Sequence, residues 1–247
     1  MINTVYVIAG PTATGKSDLS ISLAKKVNGA VINSDSMQVY KNLKILTARP
    51  SSSEMKNIDH HLYGYVDGNK RYNVERWCND ATEIIKKISD NNLTPILVGG
   101  TGLYINTLIN GLIDVPSIPE SIKKESEKIL QEFGKEFLIN QIKNVDPESL
   151  KEINHNDTVR LRRIWEVFES TGKKFSEWKL NKNKKFITNY KFKILLFLPD
   201  REKNYKVVNS RFVKMMKGGA VDEVKKLLEL NLNDSLPVMR AHGVPEI

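Results

Sequence analysis

The chain has 247 residues, 40% of them apolar and 27% charged, with a single cysteine and a formal net charge of +9. These are the proportions of an ordinary globular protein. They exclude an internal disulfide, and no apolar run approaches the length that crosses a bilayer. One cysteine and a first strand starting by residue 4, with no room before it for a signal peptide, lead us to expect a cytoplasmic protein.

The apolar run Val5-Tyr6-Val7-Ile8 predicts a strand over 3–9. It leads into Ala9-Gly10-Pro11-Thr12-Ala13-Thr14-Gly15-Lys16-Ser17, which reads G-x-x-x-x-G-K-S. A helical pattern follows, with Leu19, Leu23 and Val27 on one face. Strand, glycine loop and helix in this order form the context in which backbone N–H groups cradle phosphate oxygens at a helix N-terminus. Gly10, Thr12, Ala13, Thr14, Gly15, Lys16 and Ser17 are therefore candidates to hold a di- or triphosphate. Lys16 would bridge terminal phosphates, and the Ser17 hydroxyl would ligate Mg²⁺.

A second strand, 29–34, runs into Asp35-Ser36-Met37-Gln38-Val39-Tyr40. A carboxylate at the carboxyl end of a strand beside a phosphate loop points into the site. Asp35 is thus either a general base or metal ligand, or an N-cap for the turn that follows. Residues 73–90 carry Val74, Trp77, Cys78, Ala81, Ile84, Ile85 and Ile88 at helical spacing, which places the thiol of Cys78 in packing. A third strand, 94–98, ends in Gly99-Gly100-Thr101-Gly102-Leu103-Tyr104, where glycines permit close approach and Thr101 opens to the same cleft or caps the next helix.

From 114 to 188 the strand pattern gives way to helices at 120–133, 136–143 and 156–171, the last with Leu161, Ile164, Trp165 and Phe168 in a stripe. The strand pattern resumes at 191–198 as a near-continuous apolar run, as expected of a buried parallel strand. Two helices follow at 201–216 and 220–230, separated by Gly218-Gly219. Alternating strands and helices behind a phosphate loop imply an α/β fold with a parallel P-loop NTPase-like sheet. We expect a discontinuous core, 1–113 and 189–247, with a helical insertion at 114–188.

The charge is local. Residues 158–193 hold eleven Lys or Arg against three acids, a net of +8. Such a block is the footprint of a polyanion site, or a solvated lysine-rich face around the Lys/Asn-rich turn 181–185. A kinase of small molecules or nucleotides would share the loop and the sheet, with the insertion as its lid. A non-catalytic nucleic-acid-binding ATPase would need only the loop and the basic block.

Taken together, G-P-T-A-x-G-K-S, D-S-M-Q-V-Y and G-G-T-G-L-Y in this order resemble the tRNA dimethylallyltransferase family, isopentenyl transferases acting on tRNA. Thr47-Ala48-Arg49-Pro50-Ser51, His60-His61-Leu62, Asp157 with Arg160-Leu161-x-Arg163, Glu166-Val167, Ser170-Thr171-Gly172-Lys173 and Met239-Arg240-Ala241-x-Gly243 extend the similarity along the whole chain. The resemblance implies transfer of a dimethylallyl group from its diphosphate to N6 of the adenosine beside the anticodon, giving N6-isopentenyladenosine. It implies that the loop holds a diphosphate leaving group with Mg²⁺, Ser17 being the metal ligand. Asp35 would be the base, Thr101 would contact the diphosphate and the reacting nucleotide, and Arg211, in Ser210-Arg211-Phe212, would steady the diphosphate. The tRNA contacts implied are Asp35, Ser36, Met37, Gln38, Thr101, Lys123, Val159, Arg160, Leu161, Arg162 and Arg163, with the basic insertion gripping the anticodon stem-loop and the target base flipped out. The expected partners are tRNA and dimethylallyl diphosphate, with no membrane and a monomeric chain. His242 and Val244 depart from the usual residues of the late motif, and the chain stops at Ile247 where the family typically continues through further helices.

Overall fold

The structure is a computed structural model that describes residues 3–181 and 184–247. Lys182, one of the basic block, lies outside them. The chain divides into two compact units, Met1–Asn110 with Lys185–Ile247, and Gly111–Lys184.

The first unit is built on a five-stranded, all-parallel sheet in the order β3-β2-β4-β1-β5. Its strands are β1 (Asn3–Ala9), β2 (Gly29–Asn33), β3 (His60–His61), β4 (Thr94–Gly99) and β5 (Tyr190–Leu196). Helices α1 (Lys16–Val27), α2 (Ser52–Met55), α3 (Val74–Asp90), α4 (Gly102–Asn110), α9 (Arg201–Lys217) and α10 (Ala220–Leu228) connect or follow them. The central strands are apolar on both faces because helices cover both. Val5, Val7, Ile32 and Leu97 pack with α3 and α4, and Ile8, Val31, Ile96 and Val98 pack with α1.

Helix α3 starts at Asn73, whose side chain accepts from the Arg76 N–H at 2.9 Å, and it turns Trp77, Cys78, Ala81, Ile85 and Ile88 inward. The Trp77 ring stacks on Tyr104 with centroids 4.7 Å apart, and its indole N–H donates to the Asn33 carbonyl at 2.9 Å. Truncating so fully packed a tryptophan costs about 3–5 kcal/mol. Trp77 therefore ties the end of β2, where Asp35 emerges, to the helix layer. Cys78 is fully buried beside it, and burial pushes its thiol up to about 12.

One expectation is corrected. The run 191–198 forms a strand only over Tyr190–Leu196, and it is not a buried one: Ile194, Leu195 and Leu196 are 57, 51 and 56% exposed. β5 pairs with β1 alone, at the sheet edge, and no residue of α9 is buried. Apolar composition signals burial on both faces only where covering elements exist.

The second unit contains α5 (Glu120–Val145), α6 (Pro147–Lys151), α7 (Thr158–Thr171) and α8 (Phe175–Lys179). Gly134, at φ 74° and ψ 179°, breaks α5 into the two helical stretches that the sequence suggests. The core consists of Leu138, Ile142, Leu150, Leu161, Ile164 and Trp165. Asp146 is fully buried and accepts from the N–H groups of Ser149 (3.2 Å) and Ser176 (3.0 Å), capping α6 and tethering α8. Burial alone would raise its carboxyl, but these hydrogen bonds outweigh it and hold the group below the ordinary aspartate value.

Candidate functional site

At the carboxyl edge of the sheet, β1 feeds the glycine loop. Gly10 sits at φ 149°, and a Cβ there would lie 2.8 Å from that of Phe197, so both the conformation and the space require glycine. Within the loop the Thr14 hydroxyl donates to the Pro11 carbonyl at 3.0 Å. The Lys16 ammonium folds back onto that carbonyl at 2.5 Å. Burial lowers the Lys16 pKa, the Asp35 carboxylate opposes that shift, and the Arg211 guanidinium adds to it. The ammonium is therefore poised to gain an anion. Helix α1 begins at Lys16, so its free N–H groups and positive end face the loop.

β2 ends in a buried anchor that the sequence did not single out. The Asn33 carboxamide accepts from the Asp35 N–H at 2.9 Å and donates to the carbonyls of Asp35 (2.9 Å) and Leu62 (3.0 Å). Asp35 is thus held by its own backbone, and its Oδ1 accepts from the N–H groups of Met37 (2.9 Å) and Gln38 (3.3 Å). The capping reading of Asp35 holds for a turn instead of a helix, and it fixes the carboxylate in place.

β4 delivers Thr101 to the same place. A Cβ on Gly99 would stand 2.4 Å from the Ser34 backbone, so glycine alone lets the two strand ends touch. The Thr101 hydroxyl accepts from the Ser36 N–H at 3.0 Å and donates to the Ser36 hydroxyl at 3.3 Å. It therefore braces the Asp35–Gln38 turn.

A cavity of about 690 Å³ opens among these pieces, lined by loop residues 12–17, Asp35, Gln38, Gly100 and Arg211. Arg211 reaches in from α9, its Nη1 donating to the Thr12 hydroxyl at 3.3 Å. Two further cations on the same face of α9, Lys206 and Lys214, also line the cavity. No motif in the sequence marks them. His60 and Tyr63 stand on the wall with ring centroids 5.6 Å apart, and burial, then the Asp35 charge, raises the Tyr63 phenol. Gly10, Ser36, Met37 and Thr101, also expected at the site, are not among the residues that line the cavity.

The remaining candidates lie in the second unit. Val159 is 68% exposed, and the side chains of Arg160 and Arg163 are also exposed on α7. Lys123 pairs with Glu120 at 3.3 Å and stays half-exposed. Two expectations change here. Leu161 is fully buried in the helical core and presents nothing to a nucleic acid. Arg162 is turned onto α5, donating to the Ser126 hydroxyl (2.9 Å) and the Lys123 carbonyl (3.1 Å) beside buried Glu166. It cross-links helices, because helical spacing turns it away from Arg160 and Arg163.

Among the described residues no group of three or more His, Cys, Asp or Glu could hold a metal ion, and no helix is long and apolar enough to cross a membrane.

Residues 38–247 match the family described as IPP transferase, and residues 3–68 match isopentenyl transferase. A tRNA dimethylallyltransferase of Rhizobium etli is 41% identical over all of this chain and 83% of its own length. A tRNA dimethylallyltransferase of a Wolbachia strain is also 41% identical, with the same coverage. Among solved structures, the tRNA isopentenylpyrophosphate transferase of Bacillus halodurans superposes with a TM-score of 0.68 at 31% identity, over 99% of this chain and 76% of its own. A eukaryotic dimethylallyltransferase acting on tRNA gives 0.79 at 34% identity, over 95% of this chain and 58% of its own.

Proposed function

This chain belongs to the IPP transferase family, and from that membership we propose that it moves a dimethylallyl group from dimethylallyl diphosphate to N6 of the adenosine beside the anticodon of tRNA. The observation that carries the reading is a cavity lined by both the phosphate loop and Asp35. A leaving diphosphate and a proton acceptor in one chamber are what alkylation of a weakly nucleophilic amine requires.

In this scheme the diphosphate lies on loop residues 12–17, against Lys16 and the start of α1. Arg211, already bonded to Thr12, closes over it together with Lys206 and Lys214. Negative charge grows on the departing oxygen as the C1–O bond of the allyl diphosphate breaks, and fixed cations stabilise that growth. The N6–C1 bond forms as Asp35 takes the N6 proton, which removes the obstacle of a lone pair delocalised into the ring. Thr101 holds the Asp35–Gln38 turn in register, and Gln38 faces the extruded base. Ser17 lines the cavity, and its hydroxyl would be the protein ligand for Mg²⁺. Mg²⁺ bound there would neutralise part of the leaving-group charge. The exposed Arg160 and Arg163 of the helical unit meet stem-loop phosphates. We place the protein in the cytoplasm as a monomer.

A kinase reading accounts for the loop, the sheet and a helical lid, whereas the family match runs through residues 38–247. The deciding experiment incubates the protein with Mg²⁺, dimethylallyl diphosphate and an anticodon stem-loop bearing A-A-A, and weighs the RNA. A gain of one dimethylallyl group supports the reading. No gain, or γ-phosphoryl transfer from ATP, overturns it.

A further inference from the structure

Behind the Asp35–Gln38 turn, the chain forms a loop at 41–49 that contributes no reacting group, and one carboxylate holds its shape. Glu223, in the first turn of α10, accepts from three consecutive backbone N–H groups: Lys44 at 2.7 Å, Ile45 at 2.8 and 3.1 Å to its two oxygens, and Leu46 at 2.9 Å. Successive N–H groups converging on one anion form a strong, charge-assisted anchor.

The next residue of that loop touches the site. The Thr47 carbonyl accepts from the Gln38 Nε2 at 2.8 Å. A carbonyl can only accept, so the NH₂ end of the Gln38 amide must face Thr47, and its oxygen is thereby directed the other way. Gln38 and Thr47 both line the cavity. An amide of fixed direction distinguishes a purine carrying an N6 donor from one carrying an O6 acceptor.

The late motif Met239-Arg240-Ala241-His242-Gly243 serves the same loop. A Cβ on Gly243, at φ 96°, would lie 2.8 Å from Leu46 Cδ2, so the Leu46 side chain rests in the space that this glycine leaves. Gly219, just ahead of α10, lies beneath Ile45. The carboxyl-terminal segment thus supports the loop from below and pins its backbone.

We infer that Glu223 is a positioning residue for base recognition: through the backbone of 44–47 it sets the direction of the Gln38 amide. The inference rests on the alkyl-transfer reading above and deepens it.

The test is a double-mutant cycle between Glu223→Gln and Gln38→Ala, scored by dimethylallyl transfer to the A-A-A stem-loop. The Gln substitution turns an NH₂ group toward one of the three amides and should free the loop. With Gln38 present, Glu223→Gln should lower kcat/KM for the stem-loop about tenfold, chiefly through KM, with diphosphate affinity unchanged. With Gln38→Ala already made, the same substitution should change kcat/KM by no more than about twofold. Equal losses in both backgrounds, or a parallel loss of diphosphate affinity, would show a merely structural role and overturn the inference. If Glu223→Gln does not fold, Glu223→Asp, which keeps the charge but falls short of the amides, carries the same cycle. Wild-type protein that leaves the stem-loop unmodified overturns the transfer reading and this inference with it, whereas active wild type with an additive cycle overturns this inference alone.

Discussion

Replacing Asp35 by Asn separates its two duties. Its Oδ1 caps the turn by accepting from Met37 and Gln38 at 2.9 and 3.3 Å, and an Asn oxygen can accept both. The Asn33 bonds to the residue 35 backbone do not involve the side chain at all. The turn should therefore survive Asp35→Asn, with stability within about 0.5 kcal/mol of wild type. Basicity is lost. A positioned proton acceptor is worth about 10²–10⁴ in rate, or roughly 3–5 kcal/mol of barrier. Single-turnover transfer to the stem-loop should fall by that factor, with KM for RNA and diphosphate changed by less than about threefold. Asp35→Ala loses both cap bonds as well, and should add about 1–2 kcal/mol of destabilisation in a denaturant titration. If Asp35→Asn turns over within about threefold of wild type, this carboxylate is not the base, and the chemistry assigned to the cavity is wrong.

Three other outcomes follow from the same geometry. Burial holds the Lys16 ammonium below the ordinary lysine value and an adjacent diphosphate should raise it again, so binding takes up a proton at pH values above the lowered pKa and weakens as pH rises through it. Calorimetry in two buffers of different ionisation enthalpy reads this directly. An uptake that persists in Lys16→Met would assign it elsewhere. Arg160→Ala combined with Arg163→Ala should weaken stem-loop binding and flatten its salt dependence by a slope of about two, whereas Arg162→Ala should lower thermal stability, since it bridges α5 and α7. A steeper loss of RNA affinity from Arg162→Ala than from the pair would reverse that assignment. Asp146 has a folded pKa held below its unfolded value, so its stabilisation is present above the ordinary aspartate pKa and disappears as pH falls through the folded one. Denaturant titrations between about pH 5 and pH 2 should show a smaller pH dependence in Asp146→Asn than in wild type. An unchanged pH dependence would contradict it.

The parts of this molecule that local chemistry dictates were legible in the sequence. Strands β1, β2 and β4 are apolar runs ended by turn residues, and α3 and α7 are amphipathic helices started by Asn73 and Asp157. The loop at 10–17 was legible because Gly10 and Gly15 take a positive φ, and Gly99 because the Ser34 backbone leaves no room for a Cβ. The illegible parts depend on distant partners. β3 is two histidines that become a strand only because β2 offers an edge. The exposure of Leu195 and Leu196 depends on what covers a sheet edge, which composition does not encode. Asn33 looked like the end of a strand, yet it is the buried clamp on Asp35. Glu223 lies 177 to 179 residues along the chain from the amides it holds, with no local pattern to mark it.

A ternary crystal structure with the stem-loop and an unreactive analogue of dimethylallyl diphosphate would bear on all of this at once. The diphosphate should lie on residues 12–17 under Arg211, with the base extruded and an Asp35 carboxylate oxygen within about 3.2 Å of its N6, or joined to it by one water. Diphosphate bound away from the glycine loop, or a carboxylate turned from N6 and beyond the reach of a bridging water, would contradict the mechanism.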